Sequence, residues 1–143
     1  MSFSADIAAF ANKAGESLDK TVRMVTLELF GSVIRMTPVG NPSLWQNPPL
    51  SGYVGGRARG NWQTTVGSPA GGELGIRSES AAIAELEQNC GKVGTVTYMA
   101  NNLPYIKRLE EGWSTQSPPY AMVRANFTRI ESIVANAARQ NKV

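Results

Sequence analysis

The chain has 143 residues, 42% of them hydrophobic and 17% charged, with one cysteine, no histidine and a formal charge of +3. That length suits a single domain with one core, so one unit is expected over 1–143, and the apolar content excludes a disordered polymer. Without histidine there can be no Ser-His-Asp or Cys-His nucleophile system and no histidine-ligated metal, and a lone cysteine excludes an internal disulfide and a thiolate zinc site.

Phe3, Ile7, Ala11, Ala14, Leu18, Val22, Val25, Leu29, Val33 and Met36 recur every three or four residues, the period of one apolar helical stripe. They predict a helix of about 50 Å, with Ser2 or Ser4 as N-cap, Asp6 in the first turn and Thr37-Pro38 with Gly40 as its stop. A helix this long outreaches a compact domain with a radius of gyration near ~14 Å. Either part of the stripe packs on a neighbouring subunit, or the helix bends near Gly15 or Gly31 and stays within its own domain.

From Pro38 to Gly60, PVGNPSLWQNPPLSGYVGGRARG is too rich in Pro and Gly for a helix or a central strand, and a long loop is predicted over 38–60. Its Leu44, Trp45, Leu50, Tyr53 and Val54 exceed what a solvated linker needs, which favours ordering against a partner over Trp45 tucking onto its own core. Trp62, Thr64 and Val66 then alternate with Gln63 and Thr65, as in a half-buried strand over 61–67. ELGIRS over 73–78 reads as a second short strand, and Ser80 to Cys90 as a helix with Ala82, Ile83 and Leu86 on one side, stopped by Gly91. KVGTVTYMA over 92–100 is strand-like again, and Leu103 to Glu111 is a short helix with Pro104 at its first position and Gly112 at its end. After a loop from Trp113, Pro119 opens a final helix in which Tyr120, Val123, Phe127, Ile130, Val134 and Ala137 form a second stripe. This order predicts the α+β class: a long N-terminal helix and a C-terminal helix packed on a mainly antiparallel sheet, with a long Pro/Gly-rich loop.

The charges are unevenly placed. Between Glu28 and Glu73 the only charged residues are Arg35, Arg57 and Arg59, whereas Glu73, Arg77, Glu79, Glu85 and Glu87 give the next stretch a net charge of −3. Opposite blocks suit head-to-tail contact between copies, and equally suit solvated faces. Glu85 with Glu87 and Glu110 with Glu111 point different ways on a helix, so neither pair makes a general acid and base. No phosphate-cradling glycine motif and no DxDxDG loop is present. No catalytic, cofactor-binding or metal-ligating residue is therefore assigned, and neither enzymatic activity nor a cofactor is expected. Cys90 reads as a small, half-buried hydrophobe. No run reaches the ~18 apolar residues of a membrane span, and the N-terminus lacks the basic start and apolar run of a signal peptide. Arg57, Arg59 and Trp62 place two cations and a stacking ring close together, which admits a small DNA-binding protein as an alternative of another class.

Two segments carry a resemblance. Gly56-Arg57-Ala58-Arg59-Gly60-Asn61-Trp62 is similar to the Gly-Arg-Leu-Arg-Asn-Ser entry into a strand in the tail-completion or neck proteins of tailed bacteriophages, the group that includes the minor-tail-protein-Z-like and related head-tail joining proteins. Leu103-Pro104-Tyr105-Ile106-Lys107-Arg108-Leu109-Glu110-Glu111-Gly112, followed by Ser117-Pro118-Pro119-Tyr120-Ala121-Met122-Val123-Arg124-Ala125, resembles that family's Pro-Tyr, apolar, Glu, Gly segment and the Pro-aromatic start of its last helix. The order of long helix, first motif, second motif and final helix also matches.

The resemblance implies a structural virion protein. Such a protein is a ring subunit, with six copies expected, stacked between head connector or adaptor proteins and the tail terminator or tail tube. It encloses DNA without sequence-specific recognition, sits in the virion neck and passes through the host cytoplasm during assembly. A tail-terminator ring or another head-tail connector is the alternative within the class. On this reading Trp45, Tyr53, Arg57, Arg59 and Trp113 lie at subunit or ring-to-ring contacts, with the arginines reaching carboxylates of the adjacent subunit.

Overall fold

In a computed structural model that describes residues 3–39, 56–90, 94–112 and 120–141, the chain is α+β. Helix α1 runs from Phe3 to Met36 without a break, about 51 Å at the usual rise, and carries Gly15 and Gly31 inside it. A single turn, α2 (Arg57–Gly60), leads into strand β1 (Gln63–Val66). Helix α3 (Glu79–Asn89), strand β2 (Thr97–Ala100), the short helices α4 (Ile106–Glu110) and α5 (Val123–Phe127), and helix α6 (Ile130–Gln140) complete the order. Among the described residues the sheet has two antiparallel strands, in register from Gln63 opposite Ala100 to Val66 opposite Thr97.

The core forms where the second half of α1 meets α3 and the strand entry. Val33, Ile34, Trp62, Ala82, Leu86, Cys90 and Met122 are buried together, and Leu27, Phe30, Ile83, Met99, Ile106 and Leu109 pack against them. Helix α3 starts as its sequence dictates: the Ser78 hydroxyl accepts from the Ala81 N–H, and Ala82 and Leu86 turn inward one helical turn apart.

Four expectations change. The apolar stripe of α1 exists, but its phase is not that of the core. Leu27, Phe30 and Ile34 face inward; of the predicted stripe from Ile7 onward only Val33 is buried, and Ile7, Leu18 and Met36 are exposed. The predicted loop over 38–60 ends in a helical turn at Arg57–Gly60, begun by Gly56 in the left-handed region at φ 98°.

ELGIRS is irregular rather than a strand, because side chains have taken its backbone. Asn61 accepts from the Leu74 N–H and donates to the Gly75 carbonyl, and Gln63 donates to the Gly72 carbonyl. The final helix is two helices, interrupted at Thr128 and Arg129, where the Thr128 hydroxyl donates to the Ala125 carbonyl and that of Ser132 to the Arg129 carbonyl. Its buried face is Met122, Asn126, Ile133 and Ala137, of which the predicted stripe held Ala137, while Tyr120, Val123, Phe127 and Val134 of that stripe are exposed.

Candidate functional site

Of the residues assigned to contacts from the sequence, Trp45, Tyr53 and Trp113 lie outside the described residues. Arg57 and Arg59 stand on α2, and both reach carboxylates of their own chain. Arg57 pairs with Glu73 at 3.2 Å, at the surface. Arg59 pairs with Glu79 at 3.2 Å and donates through Nε to the Thr37 carbonyl at 2.9 Å. One arginine thus ties the end of α1 to the start of α3.

Arg77, which the sequence reading treated only as an interruption of an acidic block, holds the most contacts. Its guanidinium donates to the carbonyls of Gly60 at 2.8 Å and Trp62 at 2.7 Å, and pairs with Glu85 at 3.1 Å. Glu85 in turn accepts from the Thr64 N–H at 2.8 Å, and Asn89 donates to the Thr64 carbonyl at 2.9 Å. A planar five-donor fork serves two carbonyls and both oxygens of a carboxylate together, four acceptors where a lysine has three donors. The signal in the sequence was Arg77 itself, one cation set among four glutamates, eight residues before Glu85.

Trp62 completes the seam. Its indole N–H donates to the Thr37 hydroxyl at 2.7 Å, which donates onward to the Val33 carbonyl at 2.8 Å. Asn61, Thr64 and Thr37 are fully buried beside it. The DNA-binding alternative needed Arg57, Arg59 and Trp62 on one surface. Instead Trp62 is in the core and both arginines are neutralised by Glu73 and Glu79. The opposite charge blocks are likewise spent inside the chain, Arg57 on Glu73, Arg59 on Glu79 and Arg77 on Glu85.

Two members of those blocks are left over, Arg35 and Glu87; among the described residues neither side chain has an ion-pair partner. Both line one groove. It holds about 680 Å³ between α1, α3 and α6, with Met24, Leu27, Ile83, Leu86, Ile133 and Ala137 as its apolar lining and Glu28, Arg35, Glu87, Arg129 and Arg139 as its charged one. Arg129 and Glu28 pair across it at 3.3 Å. Deeper in the fold, Arg23 donates to the Cys90 sulfur at 2.8 Å, so the one thiol is buried and held rather than half-exposed.

Ser132, Asn136 and Gln140 complete the lining, so the groove is polar and apolar in about equal measure. Among the described residues no three His, Cys, Asp or Glu gather closely enough to hold a metal ion, and no helix is long and apolar enough to cross a membrane. Compared with known proteins, the chain matches no family model, no curated protein and no solved structure.

Proposed function

We propose that the chain is a structural virion protein of a tailed bacteriophage, a tail-completion or neck subunit that forms a ring joining the head connector to the tail around the DNA channel. The observation that carries this reading is the shape of α1. Its second half builds the core, while Ala5 to Ala9, Ala11 to Lys13 and Leu18 are exposed on a helix that extends beyond it. A helical arm with exposed Ile7 and Leu18 is surface made for another subunit.

The two motifs that resemble the neck family support the same reading with fold-level roles. Gly56 to Trp62 forms the turn and strand entry of the polar seam. Glu110, from the second motif, accepts the Val123 N–H at 2.7 Å and so joins α4 to α5. The partners of the ring would be the connector on one side and the tail terminator or tail tube on the other. Passage of DNA through it would be non-specific, in keeping with Arg57 and Arg59 being paired inside the chain.

Deleting the gene from the phage that carries it is expected to leave filled heads and finished tails unjoined, with joining restored when purified protein is added to the lysate. Complete infectious particles from the deletion would overturn the assignment.

A further inference from the structure

We propose that the outer edge of β2 pairs antiparallel with β2 of a second copy, about a two-fold axis at Tyr98, so that two sheets of two strands become one of four.

The two edges of the sheet are treated differently. On β1 the outward groups are those of Thr64, and side chains of α3 close them: the Thr64 N–H donates to Glu85 and its carbonyl accepts from Asn89. Thr64 lies opposite Met99, so that pair exchanges no hydrogen bonds with each other, and the backbone groups of Met99 and Thr97 face away from β1. Among the described residues no third strand lies along β2, and no turn or loop hydrogen bond reaches Thr97 or Met99. The devices that usually guard such an edge are missing as well. Residues 94–106 hold no charge, β2 has no proline, and its register with β1 runs without a bulge.

An open edge is matched by the backbone of another extended strand. A second copy can offer only its own β2, because its β1 edge is closed by Glu85 and Asn89. The contact is therefore isologous and stops at two. A two-fold axis normal to the sheet makes the strands antiparallel and keeps both copies of Met99, which packs on the core, on one side.

Side chains choose the register. With Tyr98 opposite the partner's Tyr98, Thr97 and Met99 of each copy face the partner's Met99 and Thr97 and exchange four hydrogen bonds, which uses every outward group of these residues. The two tyrosines then occupy the close, non-hydrogen-bonded position, with Cβ atoms about 4.5–5.5 Å apart, where aromatic pairs stabilise a sheet. Val96, 57% exposed, comes opposite the partner's Ala100. With no charge on either strand, nothing repels. A shift by two residues in either direction loses the tyrosine pair.

The test uses the full chain, with mass followed by light scattering and amide hydrogen exchange followed at Thr97 and Met99 across a concentration series. Wild type is expected to pass from monomer to dimer as the concentration rises toward millimolar, with both amides protected only in the dimer. Thr97→Pro removes an outward N–H and no bond of the chain's own sheet, so its circular dichroism should match wild type while dimerisation weakens at least about tenfold. Tyr98→Lys and Tyr98→Glu leave the backbone untouched; each alone should stay monomeric, and the two mixed should form a heterodimer. Oxidised Tyr98→Cys should run at twice 15.4 kDa without reductant, whereas wild type, whose Cys90 is buried, should not.

Both amides protected in a dilute monomer would mean that residues of the same chain, outside the described ones, occupy the edge, and would overturn the proposal. So would both amides exchanging fast at millimolar concentration, a Thr97→Pro chain that associates like wild type, or a Tyr98→Cys chain that forms no cross-link. This pairing is independent of the ring reading, since an isologous contact closes no ring, and none of these outcomes touches the joining of heads to tails in the deletion lysate.

Discussion

At the scale of single residues, Gly60 has the least room for a side chain among the glycines of the described residues. A Cβ there would run into the carbonyl of Arg77, which is backbone and has nowhere to move, since the same residue's guanidinium is bound to the Gly60 carbonyl. Gly60→Ala is expected to cost about 2–3 kcal/mol by urea denaturation, while Gly56→Ala, strained only by φ 98°, should cost about 1 kcal/mol. Trp62→Phe keeps the ring but strips the Thr37 hydroxyl of its donor, and should cost about 1–2 kcal/mol in the same measurement. The sequence marked this stretch correctly as special, through its glycines, its arginines and Trp62. What it could not show was direction. Arg57 and Arg59 carry the same chemistry whether their carboxylates belong to their own chain or to the next, and only the placement of Glu73 and Glu79 decides between them.

At the scale of elements, periodicity located the helices and missed their phase. A stripe says that one side of a helix is apolar; it does not say which neighbour covers that side. In α1 the covered side is set by Leu27, Phe30 and Ile34, which fall outside the stripe, and in α5 and α6 by Met122, Asn126, Ile133 and Ala137. Asn126 is buried because its side chain donates to the Met122 carbonyl at 2.6 Å, a capture no hydropathy pattern reports. Ile133→Ala should therefore cost about 2–4 kcal/mol, whereas Phe127→Ala, 61% exposed, should shift stability in dilute solution by no more than about 0.5 kcal/mol. Amide hydrogen exchange gives the companion test for α1: in dilute protein the amides before Leu18 should exchange fast and those beyond Leu27 slowly, because only the second half is packed. The strand predicted over 73–78 failed for a different reason, namely that Asn61 and Gln63 from the neighbouring strand entry occupy its backbone.

At the scale of the whole molecule, the α+β class and its two long-range partners, an N-terminal helix and a C-terminal one, were legible from the order of the segments. The groove was not, because its walls come from residues 24 to 35, 83 to 87 and 129 to 140, and nothing along the chain announces that they meet. The charge blocks suited contact between copies and solvated faces equally; the ion pairs are made within the chain, which leaves Arg35 and Glu87 over. Removing Arg57 and Arg59 together should accordingly lower the melting temperature of the isolated chain, through Arg59 far more than Arg57, since Arg59 alone holds a backbone carbonyl of another element. The bond from Arg59 to Thr37, twenty-two residues apart, also acts as a buckle. Both ends of the intervening stretch are thus fastened to the core, and a flexible insertion that doubles a closed loop costs only about 0.6 kcal/mol. A change of length between those two points is therefore expected to leave the joining of α1 to α2 and α3 in place.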